Sequence, residues 1–257
     1  MGKYILKSLK ALIASFLLIQ INTTYSAEPK PSVQNSLSST VTQTLCHPEI
    51  SPDKSQYIIG YGSLMEESSK KRTAPNSGVN YPIRIKNFER GWKIQGTAHG
   101  GNAYLAVTPK TGAQLNAVIY NVNTKELDAT DQREKGYCRV EVPKENIASK
   151  WDKAPADKQI WIYIVPESQN KQPSKEYPIA QTYVDTWIKG CMDLESKYSI
   201  KGFARECVST TSNWSNFWLN DRSSPRYPSA LLNIETDRID QLLNQLVHDH
   251  FQKRRTI

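Results

Sequence analysis

The sequence predicts an α+β fold, because strand patterns dominate its first half and helical patterns its last third. Four short apolar segments between residues 83 and 122 are separated by glycine, proline and polar residues, a spacing typical of an antiparallel meander or a β-barrel. After residue 166, apolar side chains instead recur every three or four positions, which indicates amphipathic helices. We therefore expect a mostly antiparallel or mixed β core with an inserted helix and a helical C-terminal extension.

The N-terminus has the pattern of a secretory signal peptide. Three lysines precede an apolar run at residues 11–21, and the small residues around Ser26 and Ala27 offer a cleavage site. The run is shorter than the about 20 apolar residues that a transmembrane helix needs. We therefore expect residues 1–26 to be cleaved and the mature chain to be exported, either to the periplasm or to the medium.

Composition divides the rest of the chain into three segments. Residues 27–55 are rich in Ser, Thr, Gln and Pro, which predicts a flexible leader. Residues 56–165 carry the strand patterns and are expected to form the main domain. Residues 166–257 are expected to be a mainly helical extension that packs on the same domain.

The charge balance argues against a nucleic-acid partner. The chain has a formal charge of +8, and without residues 1–26 it has 30 basic and 25 acidic residues. The dense basic run at residues 253–255 lacks interleaved aromatic side chains and any known DNA-binding motif. We expect neither nucleic-acid binding nor a stable membrane span, and the sequence leaves the oligomeric state unknown.

The first strand leads directly into a glycine-containing turn. Residues 57–59 are expected to form this strand, which runs into the glycine loop, defined as Gly60–Leu64, and residues 64–67 start a helical turn. The later strands are expected at residues 83–88, 92–95, 103–108, 115–122, 137–142 and 160–165.

Three longer helices are expected. Thr124 caps the first helix, which runs to about Lys135 and is followed by Gly136 at its C-terminal end. The second helix follows the apolar periodicity from Ile179 to Tyr198, and the third covers residues 234–251.

The four cysteines of an exported chain suggest two disulfides, for which three connectivities exist. No two of them have the spacing of zinc ligands. We expect Cys191 to pair with Cys207, because these residues flank a helix turn. Cys46 is then left to tie the N-terminal arm to Cys138.

The glycine loop could bind an anion or a carbonyl oxygen. A strand that turns into a helix at this point presents several backbone N–H groups together, and glycine lets a ligand approach the backbone closely. A tight turn with a purely structural role is the alternative. The loop is neither a P-loop nor a full dinucleotide fingerprint, because the Lys-Ser/Thr ending and the third glycine are missing.

Glu134 is a candidate general base at the end of the first long helix. Leu127, Thr130, Asp131 and Glu134 share one helix face, whereas Arg133 lies on another. A carboxylate that is buried on the inward face would have a raised pKa and could accept a proton near neutral pH. An ion pair with a local Lys or Arg is the alternative role.

Two motifs together resemble the γ-glutamylcyclotransferase-like family. The sequence YIIGYGSLM covers residues 57–65, and LDATDQREKGYCRVEV follows at residues 127–142. Between them, residues 103–109 and 117–120 match strands that the family places there. The resemblance covers roughly residues 56–165.

The resemblance implies a small β-barrel with helices and an enzyme that releases 5-oxoproline from a small γ-glutamyl substrate. It implies that backbone amides of Tyr61, Gly62, Ser63 and Leu64 hold the γ-glutamyl group, and that Glu134 is the catalytic acid/base. From the chemistry alone, Tyr61 or Tyr137 could shape the pocket, and an ordinary core position is the alternative for either tyrosine. Because the α-amine of the substrate is the nucleophile, the reaction requires no protein nucleophile, no metal and no cofactor.

Other residues offer alternative chemistry. Cys138 or Ser63 could act as a nucleophile and His99 could assist, but Cys138 is expected in a disulfide and Ser63 lacks the Gly-x-Ser-x-Gly elbow. His248 and His250 are two positions apart on an expected helix and so point to different faces, unlike a zinc-binding pair.

Arg222 and Arg226 lie in a loop rich in aromatic residues. Either guanidinium could bind a substrate carboxylate in a bidentate manner. Alternatively, either one could pair with Asp221 and hold the loop in place.

Two other functions are compatible with the same residues. The first is a noncatalytic exported module that binds γ-glutamyl or amino-acid ligands, with Glu134 as an ion-pair partner. The second is an amide hydrolase or acyltransferase, which would yield free glutamate or a transferred glutamyl group instead of 5-oxoproline.

Overall fold

The computed structural model describes residues 46–148, 156–227 and 234–256. These residues belong to one compact unit that spans Thr40–Ile257. The expected signal peptide and most of the expected leader lie outside the described residues. Among the helices in the described ranges, none is long and apolar enough to cross a bilayer.

The strands belong to one mixed sheet, which has nine strands within the described ranges. Its main path runs β4-β5-β1-β3-β6-β8-β9, while β2 pairs with β3, and β7 pairs with β2. The strands are β1 (Ser55–Gly60), β2 (Tyr81–Gly96), β3 (Asn102–Val122), β4 (Cys138–Glu141), β5 (Lys158–Ile164), β6 (Ile179–Ala180), β7 (Thr211–Ser212), β8 (Trp218–Asn220) and β9 (Arg255–Thr256).

The α+β class is confirmed, but the expected closed barrel is not. The sheet is open, and its main path ends at β4 on one side and at β9 on the other. Strand β3 approaches β5 through a single residue pair, Val107 and Ile164. One paired position does not form the continuous ladder that closes a barrel.

The four expected strands between residues 83 and 122 are two long strands in the structure. Both strands bend without ending, with register shifts in β2 between Lys86 and Phe88 and between Trp92 and Ile94. Asn87 adopts a positive φ of 64°, and its side chain accepts a hydrogen bond from the backbone N–H of Gly112 at 3.1 Å. The polar residues that indicated strand ends in the sequence therefore mark bends.

The helices differ from the expectation mainly at their ends. Asn123, rather than Thr124, caps the inserted helix through a capping box with Glu126, and this helix ends at Arg133 without a left-handed Gly136. The last expected helix is broken at Val247. The helices are α1 (Glu67–Lys71), α2 (Thr124–Arg133), α3 (Gln181–Tyr198), α4 (Phe203–Ser209), α5 (Thr236–Leu246) and α6 (His248–Gln252).

Helix α3 packs directly behind the glycine loop. A Cβ atom at Gly190 would lie 2.6 Å from the backbone of Met65, so only glycine allows this approach. Trp187, Ile188 and Cys191 on the same helix are fully buried. The close approach fixes the position of the short 3₁₀ turn Ser63–Met65.

Both expected disulfides are present. Cys46 is bonded to Cys138 at the start of β4, and the backbone N–H of His47 donates to the carbonyl oxygen of Arg139 at 2.8 Å. Cys191 of α3 is bonded to Cys207 of α4. Each disulfide therefore joins a segment outside the central strands to the body of the domain.

Candidate active site

A cleft of about 280 Å³ opens beside the glycine loop and the end of α2. A smaller inner hollow of about 30 Å³ adjoins it and is lined by the glycine loop. Ser63, Glu134, Tyr137 and Tyr183 line both spaces. The inner hollow is about the size of one water molecule or one substrate oxygen.

The glycine loop is held from several sides. The Tyr61 hydroxyl donates to the carbonyl oxygen of Tyr163 at 2.6 Å, and the backbone N–H of Met65 donates to the Gly62 carbonyl at 2.9 Å. A Cβ atom at Gly62 would lie 2.8 Å from the hydroxyl oxygen of Tyr183. Position 62 therefore requires glycine because α3 brings a tyrosine against the loop.

Arg90 is completely buried beneath the loop and has no carboxylate partner among the described residues. Its Nη1 donates to the carbonyl oxygens of Tyr61 and Asn116, and its Nη2 donates to the carbonyl oxygen of Cys207 at 2.7 Å. Burial lowers the pKa of Arg90 to about 9. This guanidinium links the glycine loop to α4, which lies outside the sequence motifs.

Glu134 caps the C-terminal end of α2 and lines the cleft. Only 16% of its side chain is exposed, and its Oε1 lies 3.3 Å from Nε of Arg133. Burial raises the pKa of the Glu134 carboxyl above its ordinary value, and the positive charge of Arg133 opposes this rise. A carboxylate in this setting is suited to accept and return a proton near neutral pH.

Arg133 is a site residue that the sequence reasoning missed. Helical periodicity places it on a different face from Glu134, but its long side chain reaches the cleft, where Nη2 donates to Oγ of Ser63 at 2.9 Å. Its Nη1 donates to the Ser69 carbonyl and to Oγ1 of Thr73. The feature of the sequence that could have identified Arg133 is its position directly before Glu134.

Four tyrosines line the cleft, and two of them come from the C-terminal part of the chain. Tyr183 of α3 packs edge to face against Tyr104 and Tyr227, with ring centroids 5.3 and 5.1 Å apart. Tyr137 donates its hydroxyl hydrogen to the carbonyl oxygen of Leu105 at 3.0 Å. Burial raises the pKa of Tyr137 and of Tyr183 above the ordinary tyrosine value, so both hydroxyls are neutral donors at neutral pH.

The two arginines proposed from the sequence have different surroundings. The Arg222 guanidinium lies between Asp185 and Asp240, with Nη2 at 2.7 Å from a carboxylate oxygen of each. Arg226 donates through Nη1 to the Gly101 carbonyl and lines a hollow next to the cleft. Asp221 accepts instead from the backbone N–H groups of Thr182 and Arg226.

The cysteine, serine and histidine residues considered for alternative chemistry have the following surroundings. Cys138 is a disulfide partner and has no free thiol. Ser63 accepts from Arg133, while His99 lines the cleft with its ring 5.6 Å from that of Tyr227. His248 contacts Asn244, and His250 contacts Asn216, through Nδ1 at 2.9 Å in both cases.

Comparisons with known proteins identify a family and a similar fold. A model of the family described as γ-glutamyl cyclotransferase, AIG2-like, matches residues 58–184. A solved structure described as a γ-glutamyl cyclotransferase is similar in fold, with a TM-score of 0.51 and 13% identity, over 73% of this chain and 99% of that chain. A comparison with curated protein sequences finds no match.

Two other solved structures are similar at TM-scores too low to establish a shared fold. One is an uncharacterised protein from Homo sapiens, with a TM-score of 0.47 and 14% identity over 63% of this chain and 92% of that chain. The other is a glutathione-specific γ-glutamyl cyclotransferase from yeast, with a TM-score of 0.36 and 14% identity over 58% and 88%. On the strength of the family match and the shared fold, the chain belongs to the γ-glutamyl cyclotransferase-like family through residues 58–184.

Proposed function

We propose that the protein cyclises the γ-glutamyl group of a small substrate, releasing 5-oxoproline and an amine or amino acid. The observation that carries the proposal is the position of the Glu134 carboxylate, which lines both the cleft and the inner hollow of the glycine loop. The Glu134 carboxylate and the glycine loop therefore line the same small space. Intramolecular cyclisation needs these two elements and a rigid binding geometry.

The reaction begins with loss of a proton from the substrate's α-ammonium group. Glu134 takes this proton, and the free amine attacks the γ-carbonyl carbon to form a C–N bond and a tetrahedral oxyanion. Collapse of the intermediate breaks the original amide C–N bond. Glu134 gives this proton to the leaving nitrogen as that bond breaks. It then takes the second proton from the ring nitrogen and passes it to the departing amine, so that 5-oxoproline, an ammonium product and the free carboxylate result.

The inner hollow is assigned to the γ-carbonyl oxygen. Backbone N–H groups of Gly62, Ser63 and Leu64 and the neutral hydroxyl of Tyr183 are the donors proposed to stabilise its developing charge. A Cβ atom at Gly62 would lie 2.8 Å from the hydroxyl oxygen of Tyr183, so this hydroxyl lies directly against the loop. The outer cleft holds the rest of the substrate.

Time-resolved mass spectrometry tests this proposal. The mature chain is incubated with glutathione and a panel of γ-glutamyl dipeptides, and 5-oxoproline, free glutamate and glutamyl-transfer products are measured. We expect the wild type to release 5-oxoproline and Glu134→Gln to lose at least about 100-fold in rate, in line with the contribution of a general base. Glu141→Gln, which changes an exposed glutamate in β4, is the matched control.

Each product identifies a different reaction at the same site. Free glutamate would mean hydrolysis, and a transferred glutamyl group would mean acyl transfer. Binding of γ-glutamyl ligands without any product would identify a noncatalytic module. Full activity of a folded Glu134→Gln variant would remove Glu134 from the mechanism.

We also propose that the protein acts after export. The two disulfides are compatible with an oxidising compartment. Fractionation of cells that express the full chain, with N-terminal sequencing of the mature protein, tests the export and the cleavage near Ser26 or Ala27. An uncleaved chain in the cytoplasm would contradict both.

A further inference from the structure

A second hollow beside the cleft is rich in positive charge. This basic hollow, of about 310 Å³, is lined by Lys175, Arg226 and Arg255, with Glu176 as the single acidic residue in its wall. Within residues 46–148, 156–227 and 234–256, none of the three cations has an ion-pair partner. The hollow therefore carries an excess of two positive charges that the described chain does not neutralise.

The basic hollow and the cleft share a common rim. His99 lines the cleft, whereas the next residue, Gly100, lines the basic hollow. Likewise, Tyr227 lines the cleft and its neighbour Arg226 lines the basic hollow. A Cβ atom at Gly100 would have nothing within 4 Å. The space beside this glycine is therefore open, and no described side chain fills it.

Arg226 is held in a fixed position at this rim. Its Nη1 donates to the Gly101 carbonyl at 3.2 Å and to Oδ1 of Asn102 at 3.4 Å. The amide nitrogen of Asn102, which is 1% exposed, lies 3.5 Å from the hydroxyl oxygen of the cleft residue Tyr104. One buried amide side chain thus connects Arg226 to the cleft wall.

The backbone and the remaining guanidinium donors of Arg226 support a binding role. Its backbone N–H donates to the fully buried Asp221, so the main chain is also fixed. Its Nε and Nη2 have no hydrogen-bond partner within the described part of the chain. Such a guanidinium can accept a carboxylate without prior rearrangement.

We propose that the basic hollow binds leaving groups that are acidic amino acids. Such a leaving group has a side-chain carboxylate in addition to its α-carboxylate. The preferred substrates are then γ-glutamyl peptides whose next residue is acidic, and the second carboxylate contacts Arg226 and Lys175. This inference rests on the proposed cyclisation, because it assigns the leaving-group end of the same site. It involves residues 226 and 255, which lie beyond the family match at residues 58–184.

The test compares two nearly isosteric substrates, γ-glutamyl-glutamate and γ-glutamyl-glutamine. We expect wild-type kcat/KM to favour the glutamate peptide by about tenfold or more, because a charge-assisted hydrogen bond replaces a neutral one. The ratio should fall as ionic strength rises, since the hollow is open to solvent. In Arg226→Gln and in Lys175→Gln, the ratio should move toward one.

Two controls separate a lost carboxylate contact from a disturbed loop. Lys175 is exposed, and its replacement leaves the hydrogen bond between Arg226 and Gly101 intact. Lys175→Gln therefore tests the loss of positive charge without disturbing the loop that holds Arg226. Arg205→Gln removes an exposed arginine beside α5 and should leave the rates for both substrates unchanged. Thermal unfolding of every variant checks that the fold is retained.

The outcomes distinguish this inference from the proposed reaction. Equal wild-type rates for the two peptides, or a preference that survives both hollow variants, would overturn the basic hollow while leaving cyclisation intact. If neither peptide is cyclised, calorimetric binding to the wild type decides: tighter binding of the glutamate peptide that is lost in Arg226→Gln supports the hollow. Equal or undetectable binding of both peptides rejects it.

Discussion

Arg133 donates a hydrogen bond from Nη2 to Oγ of Ser63 at 2.9 Å, while its Nε lies 3.3 Å from the Glu134 carboxylate. One guanidinium therefore spans the distance between the glycine loop and the proposed base. The two parts of the site come from segments about seventy residues apart in the chain. Their relative position depends on this contact as well as on the sheet.

Replacing Arg133 should change the pH dependence of the reaction. Its charge holds the pKa of Glu134 down against the effect of burial, so Arg133→Gln should raise this pKa further. The acidic limb of the kcat/KM profile should shift to higher pH, because the base must be deprotonated. Arg133→Lys, which keeps the charge, should shift the limb less; an unchanged limb in both variants would contradict the electrostatic role.

Glu134→Gln should alter stability in a pH-dependent way. The pKa of Glu134 is raised in the folded state, so the folded protein binds more protons than the unfolded chain between the ordinary Glu pKa, about 4.3, and the raised value. Wild-type stability relative to the variant should therefore fall as pH rises through this window. Urea unfolding of both proteins across the window measures the effect, and a difference that grows with pH would refute the assignment.

A methyl group at position 62 should displace the Tyr183 hydroxyl. In Gly62→Ala, the new Cβ would lie 2.8 Å from that oxygen, and Tyr183 cannot move freely because its ring packs between Tyr104 and Tyr227. We expect kcat/KM to fall by about tenfold or more, the scale of a site distorted by well under an ångström.

A double variant distinguishes steric conflict from other effects at this position. Tyr183→Phe removes the clashing oxygen. The loss of kcat/KM in the double variant Gly62→Ala/Tyr183→Phe should therefore be smaller than the product of the losses in the two single variants. Simple multiplication of the two losses would show that the close contact is not the cause.

The two disulfides should contribute unequally to stability. Cys46–Cys138 joins residues 92 positions apart, whereas Cys191–Cys207 joins residues 16 apart. The larger loop loses more unfolded-state entropy on closure, so replacing the first pair by serine should cost more, with about 3 kcal/mol expected for the shorter loop. Denaturant unfolding of the two double-serine variants gives the order; the reverse order would contradict the loop-entropy explanation.

The parts of the site that could be predicted were those encoded by local patterns. The glycine loop follows a strand and precedes a turn, and Glu134 lies on the buried face of its helix; both assignments depend on neighbouring residues. Tyr183 and Arg90 were missed because their roles depend on long-range packing. Nothing near position 90 in the sequence indicates that its guanidinium meets the Tyr61 carbonyl.

The fold shows the same division between local and long-range information. The α+β class follows from periodicity, and the disulfide partners were correctly inferred. The lengths of β2 and β3 were not, because turn-forming residues such as Pro109 and polar ones such as Lys110 interrupt a strand pattern whether the chain turns away or only bends. The left-handed Asn87 that allows the bend cannot be distinguished in the sequence from an ordinary turn residue.

Tyr227 lines the cleft although it lies more than forty residues beyond the segment that matches the family. The proposed base Glu134 and the far wall of the cleft are thus carried by separate stretches of one chain. Substitutions in the later stretch can reshape the entrance while the reacting groups stay in place. Variation in substrate choice among related chains should accordingly be sought C-terminal to the shared domain, and a protein shortened to that domain would lose one side of its own site.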